Sequence, residues 1–404
     1  MKLLYPLCGD PTHGLHRYAR LLSKGVAEAG TDCQTVACAL TGDEAVDAAA
    51  IDAVIDLSRD ADVCHYQFNP RVWGGGAASV LRNLSALHQR CACPCVVTIH
   101  DAAELPGAAR TLRPRRVAGP AWAQGGYTTA VRDALRSGVR HARTGRVRKL
   151  RRRVLAELST APAARVVFNR LEASFLESLP GAGRVEVVPH FVEPRSLGDG
   201  PPSDARFDIP EDALVVTSLG FIHERKGSDL LIEALPKLPR NAIAVLAGEP
   251  VRSRQAAAYA DGLRRLAEQL GVAARVRWTG FLEDEALEWV LRRTDIAVCP
   301  FRSVSASGTL STWLSAGKPI LASRLPQLEE YERLAPGAIR FFKAGDQTRF
   351  SQELVAAVSA GPGDGAAARG LLQRLSMEQI AADHLAIYRG CTAVSPGHVS
   401  APTP

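Results

Sequence analysis

The stretch from Leu214 to Pro250, "LVVTSLGFIHERKGSDLLIEALPKLPRNAIAVLAGEP", decides the fold. It begins and ends with short apolar, β-branched runs at Leu214–Ser218 and Ile243–Ala247, which predict two strands. Between them, Ser228–Leu238 carries apolar residues at helical spacing, which predicts a helix. A strand, a helix and a second strand in this order indicate two parallel strands joined by a crossover helix.

The same alternation continues in both directions along the chain. A helix with an apolar stripe is predicted at Leu15–Ala29, and residues 196–212 are rich in Pro, Gly and Asp without an apolar period, which predicts a linker. The remaining strands are predicted at Thr35–Ala39, Val63–Phe68, Cys95–Ile99, Arg165–Phe168, Val185–Pro189, Arg275–Trp278, Ile296–Cys299, Ile320–Ala322 and Ile339–Phe342. The predicted fold class is therefore α/β, with two doubly wound parallel sheets.

Composition limits the class of protein. A chain of 404 residues suits two domains, and no apolar run approaches the roughly 18 residues that a spanning helix needs. The apolar stretch at the N-terminus is too short for a signal peptide, so we expect a cytoplasmic protein with reduced cysteines. Cys91, Cys93 and Cys95 form a C-x-C-x-C run, but a zinc site would need a fourth ligand and a more usual spacing. We therefore predict no metal site.

The first candidate site lies in the turn after the strand at Leu214–Ser218. Neither domain has G-x-G-x-x-G after its first strand, and no Walker A sequence is present, which argues against a dinucleotide-dependent dehydrogenase. Instead, Arg225 and Lys226 precede Gly227 at the start of a helix. Two cations beside the N–H groups of a helix N-terminus suit a diphosphate. The alternative is a solvated turn with basic residues.

The second candidate site is the loop that opens "SVSASGTLSTWLSAGKP", Ser303–Pro319. Its hydroxyls and backbone N–H groups precede a predicted helix, and Gly308 would let a phosphate approach the backbone closely. The alternative is that Ser307 only caps the helix. The candidate ligands in this loop are Ser305, Ser307, Gly308 and Thr309.

These blocks resemble the retaining glycosyltransferases of family 4, which have the GT-B fold. The resemblance runs over nearly the whole chain, through "HGLHRYARLLSKGV", "VVTIHDA", "VEVVPHFVEP", "GFIHERKGSDLLIEAL", "VRWTGFLEDEALEWVLRRTDIAVCPF", "SAGKPILAS" and "SMEQIAADHLAIYRG". It implies two Rossmann-like domains that face a central cleft. The implied limits are an acceptor-side domain at 1–195, the linker at 196–212, a nucleotide-sugar domain at 213–375, a closing helix at 376–390 that crosses back to the first domain, and a disordered tail at 391–404.

The chain also departs from this family. Members commonly have two glutamates eight positions apart, where this chain has Val304 and Thr312, and many have an arginine where it has Phe221. Some branches carry an S-x-S-G-T type loop instead, so we expect the hydroxyls and N–H groups of this loop, Thr312 included, to bind the donor without a carboxylate. Arg302 is the candidate that replaces the missing arginine charge.

The resemblance implies transfer of a sugar, with retention, from a nucleotide diphosphate sugar to a saccharide acceptor, without a metal or other cofactor. His100 would contact the transferred sugar, Asp101 would orient His100 or cap the next helix, and Gly14 would let the first loop approach the diphosphate. Arg225 and Lys226 would stabilise the leaving group. Two alternatives stay open: an inactive GT-B subunit that partners another transferase, and a nucleotide-sugar epimerase.

A basic segment, residues 110–153, predicts where the acceptor lies. It holds fourteen Lys and Arg residues against one Asp, whereas the whole chain has a net charge of +7. Apolar residues recur between the arginines from Val131 to Val154, which is typical of a basic amphipathic helix on an anionic membrane. We expect peripheral attachment to the inner membrane face and a lipid-linked acceptor. Nucleic acid is disfavoured because the segment has few aromatic residues, and a solvated arginine face is the remaining alternative.

Overall fold

The computed structural model of the chain describes residues 1–9, 14–70, 72–100, 102, 137–193, 195, 197, 207–251, 253–304, 307–361 and 366–393, with backbone alone for 137–146. Several predictions concern residues outside this description. These are Ser305, Asp101, most of the linker at 196–212, the first part of the basic segment, residues 110–136, and the end of the tail, residues 394–404.

The described residues form two compact units. The first takes its residues from 1–112, 136–189 and 377–404, and the second takes its described residues from 190–376. Each unit contains one six-stranded sheet in which every strand pair is parallel. The prediction of an α/β fold with two parallel sheets is therefore confirmed.

The first sheet has the strand order β2-β1-β3-β4-β5-β6, and the second has β12-β11-β10-β7-β8-β9. The strands of the first sheet are β1 Lys2–Cys8, β2 Asp32–Cys38, β3 Val63–Phe68, β4 Cys95–Ile99, β5 Ala164–Val167 and β6 Val185–Val187. Those of the second are β7 Leu214–Leu219, β8 Ala242–Ala247, β9 Val276–Trp278, β10 Ile296–Cys299, β11 Ile320–Arg324 and β12 Arg340–Lys343.

Within each unit a helix lies between consecutive strands along the chain, as is usual for the crossover connections of parallel strands. In the first unit the helices are α1 Gly14–Glu28, α2 Glu44–Ser58, α3 Ala77–Arg90, α4 Ser137–Thr160, α5 Arg170–Glu177 and the last described helix, Met377–Ala393, named α13. The second unit has α6 Ser228–Ala234, α7 Arg254–Gln269, α8 Asp284–Arg293, α9 Gly308–Ser315, α10 Glu329–Leu334, α11 Gln347–Ala360 and α12 Ala366–Arg374. Among the described helices, none is long and apolar enough to cross a bilayer.

Strand β1 was absent from the sequence prediction. It begins at Lys2 and contains Pro6, and proline is usually confined to edges and bulges of sheets because it lacks an N–H. In the structure β1 lies between β2 and β3, but its ladder with β3 is formed at Leu3 and Leu4, whereas its ladder with β2 continues to Cys8. Pro6 therefore lies beyond the pairing with β3, which explains how an inner strand accommodates it.

The last helix, α13, completes the core of the first unit through a buried polar cluster. The hydroxyl groups of Tyr5 and Tyr388 lie 2.8 Å apart, and the Tyr388 hydroxyl lies 2.6 Å from Nδ1 of His65. The His384 ring stacks on the His65 ring with centroids 5.4 Å apart, and Nδ1 of His384 donates to the carbonyl oxygen of Ile380 at 2.8 Å. Both histidines are fully buried, so burial lowers their pKa.

We expect this cluster to make the protein sensitive to acid. Burial lowers the pKa of His384 to about 4, so the unfolded chain takes up a proton at a higher pH than the folded chain does. Stability is therefore full above about pH 6.5 and falls as the pH drops towards 4, by up to about 3 kcal/mol for this group. Urea unfolding at pH 7.5 and pH 5 measures the loss. His384→Leu should flatten the pH dependence, and an unchanged slope would contradict the assignment.

Candidate functional site

The strand order of the second sheet places two loops side by side. From β7 the chain proceeds outward through β8 and β9, and from β10 it proceeds in the opposite direction through β11 and β12, while β7 and β10 are neighbours. The carboxyl ends of such a strand pair form a crevice, because the connections leave in opposite directions, and ligands of open α/β sheets bind there. The loop after β7 contains Arg225 and Lys226, and the loop after β10 leads to Gly308. Both predicted sites thus flank this point.

Lys226 and Thr309 meet across the two loops. The ammonium group of Lys226 donates to the Thr309 hydroxyl at 3.1 Å and lies 4.4 Å from the ring centroid of Phe301. Burial is the largest cause that lowers the pKa of this ammonium group, and the Arg225 charge acts in the same direction. Within the described part of the chain, Lys226 forms no ion pair with a carboxylate, so a partly desolvated cation is available for an anion.

Arg225 differs from Lys226 in its surroundings. Its side chain is exposed, and its carbonyl oxygen accepts a hydrogen bond from the Arg302 N–H at 2.8 Å. The Arg225 N–H donates to Nδ1 of His223, which caps this one-turn 3-10 helix, Glu224–Lys226. The turn therefore fixes the backbone of Arg225 and leaves its guanidinium group in solvent.

Gly227 lets the turn pass close to the loop after β10. Its φ of 71° is left-handed, and an added Cβ would lie 2.0 Å from the carbonyl oxygen of Pro300. At Gly220, also left-handed, an added Cβ would lie 3.1 Å from the Thr309 hydroxyl and 3.3 Å from Nζ of Lys226. Glycine is thus required for the backbone conformation and for the close approach that brings Lys226 to Thr309.

We expect Gly227→Ala to destabilise the second unit strongly. The left-handed conformation alone costs alanine about 1 kcal/mol, and the contact with Pro300 raises the expected total above about 3 kcal/mol. Gly317→Ala is the matched control, because Gly317 has a φ of 64° and no atom within 4 Å of its added Cβ. Thermal unfolding of both variants isolates the effect of the contact. Equal melting temperatures would show that the loop after β10 moves aside without cost.

The N-terminus of α9 has an N-cap residue and, next to it, an exposed glycine with free space around it. The Ser307 hydroxyl accepts the Leu310 N–H at 3.1 Å, so Ser307 acts as the N-cap. Gly308 is exposed, and an added Cβ there would have no atom within 4 Å. The Thr312 hydroxyl donates to the carbonyl oxygen of Gly308 at 2.9 Å. The helix N-terminus at Gly308 therefore has room for a ligand, while Ser307 and Thr312 also have structural partners.

The structure corrects the prediction for Arg302. Its two terminal nitrogens lie 2.8 and 2.5 Å from the carboxylate oxygens of Asp229, and one also donates to the carbonyl oxygen of Glu224 at 2.9 Å. Both charged side chains are buried, and the Tyr259 hydroxyl donates to Asp229. A guanidinium group neutralised in this way does not supply a charge to a diphosphate. Arg302 instead fixes the turn that contains Lys226.

His100 follows β4 in the first unit. Its backbone N–H donates to the carbonyl oxygen of Phe68 at 2.9 Å, and Nε2 lies 2.9 Å from the side-chain oxygen of Gln67. The rings of Tyr18 and Phe168 contact its ring edge-to-face, at centroid distances of 5.0 and 4.9 Å. The position of the imidazole is therefore defined by two aromatic contacts and one amide.

A hydrogen-bonded network behind His100 assigns its tautomer. The Gln67 amide oxygen accepts the Nε2–H of His100, and the Gln67 amide nitrogen then faces Nε2 of His65 at 3.4 Å. The Thr98 hydroxyl lies 2.8 Å from the same His65 nitrogen, so Nδ1–H of His65 donates to Tyr388. The Gln67 amide oxygen beside Nε2 therefore favours the tautomer of His100 that carries its proton on Nε2. Gln67 was not found from the sequence because alternation along a strand does not show which polar residue faces another.

Gly14 begins α1 in the same unit as His100. It is exposed, and an added Cβ would have no atom within 4 Å. The predicted role of this glycine in approaching a diphosphate stays a prediction.

The described part of the basic segment lies on α4. Arg148, Lys149 and Arg151 are exposed, whereas Leu150 and Val154 pack against the core of the first unit. The sequence analysis assigned such apolar residues to an amphipathic face for a membrane. In the structure, Leu150 and Val154 are instead used by the protein's own core, and the exposed face of this part of α4 is basic.

The comparison with known families concerns the second unit. Residues 201–354 match the family described as glycosyl transferases group 1. A D-inositol 3-phosphate glycosyltransferase of Mycolicibacterium smegmatis is 32% identical over 162 residues, which are 39% of this chain and 37% of that protein. The chain thus matches little more than a third of the length of this curated relative.

Two solved structures share the fold over nearly the whole chain. Sucrose-phosphate synthase of Thermosynechococcus elongatus superposes with a TM-score of 0.67 at 18% identity, over 98% of this chain and 100% of that one. HepE of Anabaena, in complex with UDP and glucose, gives a TM-score of 0.61 at 14% identity, over 96% and 100%. At these identities the likeness establishes the fold. The two α/β units have the architecture of GT-B glycosyltransferase structures.

Proposed function

We propose that this protein is a glycosyltransferase that transfers a sugar, with retention, from a nucleotide diphosphate sugar to a saccharide acceptor, in the manner of family 4. The observation that carries the proposal is the contact between Lys226 and Thr309 at the crevice between β7 and β10. A desolvated ammonium group beside an open helix N-terminus suits a diphosphate. The family match covers the same residues, and HepE binds UDP, so a UDP-sugar is the first donor to test.

The proposed chemistry requires stabilisation of the leaving group. As the bond between sugar and diphosphate breaks, negative charge grows on the phosphate oxygens, and fixed donors lower the barrier because they need no reorganisation. Lys226 supplies a cation, Arg225 a second and more mobile one, and the N–H groups at Gly308 and Thr309 the helix N-terminus. We propose that these groups act without a metal ion, and that His100 supports the transferred sugar.

Calorimetry with UDP-, GDP- and ADP-sugars tests donor binding, and NMR of the product anomer tests retention. Turnover that survives treatment with a chelator would support metal independence.

If a nucleotide sugar binds but no acceptor or water receives the sugar, the chain is an inactive GT-B subunit, a candidate favoured by Val304, Thr312 and Phe221. A new sugar epimer in the product would identify a nucleotide-sugar epimerase. Absence of binding at millimolar nucleotide sugar would reject the proposal.

We expect Gln67→Leu to reduce turnover about 10-fold or more, because His100 loses the acceptor that fixes its tautomer. The affinity for the nucleotide diphosphate should change little, since Lys226 and the N-terminus of α9, which are proposed to bind the diphosphate, lie in the second unit. Kinetics over a range of donor concentrations separate the two effects. Gln34→Leu, at an exposed position of β2, is the control. Equal loss in both variants would remove Gln67 from the mechanism.

We further propose that the acceptor is lipid-linked or close to the membrane, and that the basic face of α4 attracts the protein to anionic lipid from the cytoplasmic side. Since Val154 is buried in the core and Leu150 packs against it, the attraction by this part of α4 is electrostatic and should weaken with salt. Cosedimentation with anionic and neutral liposomes tests it. Arg151→Glu with Arg152→Glu should abolish binding, whereas Lys237→Glu with Arg240→Glu, the same change of charge in the second unit, should not. Equal binding to both liposomes, or none at low salt, would favour a soluble acceptor.

A further inference from the structure

A cluster of cysteines lies at the end of the first sheet opposite to His100. Cys64 is the second residue of β3, Cys95 is the first residue of β4, and the two are register partners in the parallel ladder. Cys91 follows the last residue of α3. Because parallel strands share the same direction, the amino ends of β3 and β4 meet here, whereas His100 follows the carboxyl end of β4. The cluster is therefore separate from the candidate functional site.

The geometry of the thiols suits a tetrahedral metal ion. The Sγ atoms of Cys64, Cys91 and Cys95 all lie within 4.8 Å of one another, and Sγ of Cys93 lies 3.9 Å from Sγ of Cys91. Zinc–sulfur bonds of about 2.3 Å in a tetrahedron place the sulfurs about 3.8 Å apart. The pair Cys91 and Cys93 already has about this spacing, and the separations among Cys64, Cys91 and Cys95 exceed it by about 1 Å or less. Cys93 lies outside the 4.8 Å group and reaches the fourth position by a larger movement of its side chain.

The loop that carries these cysteines is held in place by its backbone. The Cys91 N–H donates to the carbonyl oxygen of Leu87 at 2.8 Å, the Ala92 N–H to the Ser58 hydroxyl at 2.9 Å, and the Cys64 N–H to the carbonyl oxygen of Pro94 at 3.0 Å. The thiols therefore converge without a large rearrangement of the main chain. Such preorganisation lowers the cost of binding a metal.

Burial distinguishes the members of the cluster. Cys64 and Cys95 are buried, whereas Cys91 and Cys93 are half-buried, so an ion can enter from their side. The nearby imidazole of His88 is already engaged, with Nε2 2.7 Å from the Tyr66 hydroxyl and Nδ1 2.9 Å from the Glu157 carboxylate. The donor set is therefore thiolate alone, which favours zinc over hard cations such as Mg²⁺ or Ca²⁺.

We propose that Cys64, Cys91 and Cys95 bind a zinc ion, with Cys93 as the fourth ligand. The ion connects the ends of α3, β3 and β4, which makes the site structural, since all four positions are taken by the protein. The sequence analysis rejected a metal because the C-x-C-x-C run offered only three ligands at unusual spacing. Folding supplies the missing ligand from the preceding strand. The proposal does not depend on the proposed transferase activity.

Cobalt substitution tests the site in the full-length chain, reduced and stripped of metal. Co²⁺ should bind one per chain and give a thiolate charge-transfer band with the strong visible bands of tetrahedral cobalt, and Zn²⁺ should displace it. Cys91→Ser and Cys93→Ser, at half-buried positions, should each weaken binding by more than the roughly 10- to 100-fold that loss of an outer-shell partner costs. Cys33→Ser, a half-buried cysteine outside the cluster, should bind like the unaltered protein.

A thiol count on the unreduced, denatured chain independently tests whether the cysteines form a disulfide instead of binding a metal ion. All nine cysteines should react, because zinc thiolates are released on unfolding. Two fewer thiols, recovered on reduction, would show a disulfide in place of the metal and overturn the proposal. The proposal is equally overturned if no cobalt band appears, or if the band is as strong in Cys91→Ser as in Cys33→Ser.

Discussion

Replacing Lys226 with alanine is expected to weaken the binding of nucleotide diphosphates about 10- to 150-fold, which corresponds to the 1.5–3 kcal/mol of a charge-assisted hydrogen bond. The ammonium group lies beside the Thr309 hydroxyl and Phe301, in a place where water is partly excluded. In such surroundings its attraction for a phosphate is stronger than on an exposed surface, where screening reduces it.

Calorimetry with UDP and with a UDP-sugar measures this loss. Lys237→Ala is the matched control, because Lys237 lies in the same unit and is exposed. Its affinity for the nucleotide should equal that of the unaltered protein. If Lys226→Ala binds the nucleotide as well as Lys237→Ala does, Lys226 does not contact the diphosphate, and the proposed site after β7 is wrong.

Gly308→Val should abolish donor binding while the fold stays intact. An added Cβ at Gly308 has no atom within 4 Å, so the substitution fills the space in which a phosphate would approach the backbone. The melting temperature of Gly308→Val should stay close to that of the unaltered protein. Valine costs less than glycine in a helix, and the added Cβ has no clash.

Gly370→Val in α12 is the control for this prediction. Gly370 is also helical, and its added Cβ likewise has no atom within 4 Å. Nucleotide binding should be retained in Gly370→Val and absent in Gly308→Val, at nucleotide concentrations that saturate the unaltered protein. Retained binding in Gly308→Val would leave Ser307 and its neighbours with a capping role alone.

The same experiment extends to the residue where the resemblance places a glutamate. Val304 packs against the hydrophobic core of the second unit, so a carboxylate at this position would be partly desolvated. We therefore expect no gain of activity in Val304→Glu. A large gain would show that the usual chemistry of the resembled family was lost from this chain and can be restored.

Local pattern in the sequence predicted much of the fold. The limits of β3, β4 and β10 agree with the prediction. The apolar, β-branched runs of β4 and β10 are bounded by polar or turn residues, and β3 lies between Asp62 and Asn69. Strand β1 was missed because Pro6 and Lys2 obscure its pattern. The order of strands in a sheet is not contained in local pattern, so the meeting of Lys226 with Thr309 emerged only from the structure.

The charge of a residue and its place in a loop did not suffice to predict its role. Arg302 has the right charge and lies in the right loop, but Asp229 neutralises it, and a partner so distant along the chain is not visible in a motif. The cysteines show the same limit of motifs, but here a candidate site was missed, whereas at Arg302 a role was assigned wrongly. Cys64 joins Cys91 and Cys95 only because β3 and β4 are neighbours in the sheet.

The buried cluster that joins Tyr5 and His65 to Tyr388 has a consequence for how the chain is made. Tyr5 and His65 are synthesised more than 300 residues before Tyr388 of α13, which covers them in the folded unit. The second unit is drawn from 190–376 and is complete before α13 emerges. The first unit is therefore completed after the second, and the nascent chain carries an uncovered Tyr5 and His65 until α13 has been synthesised.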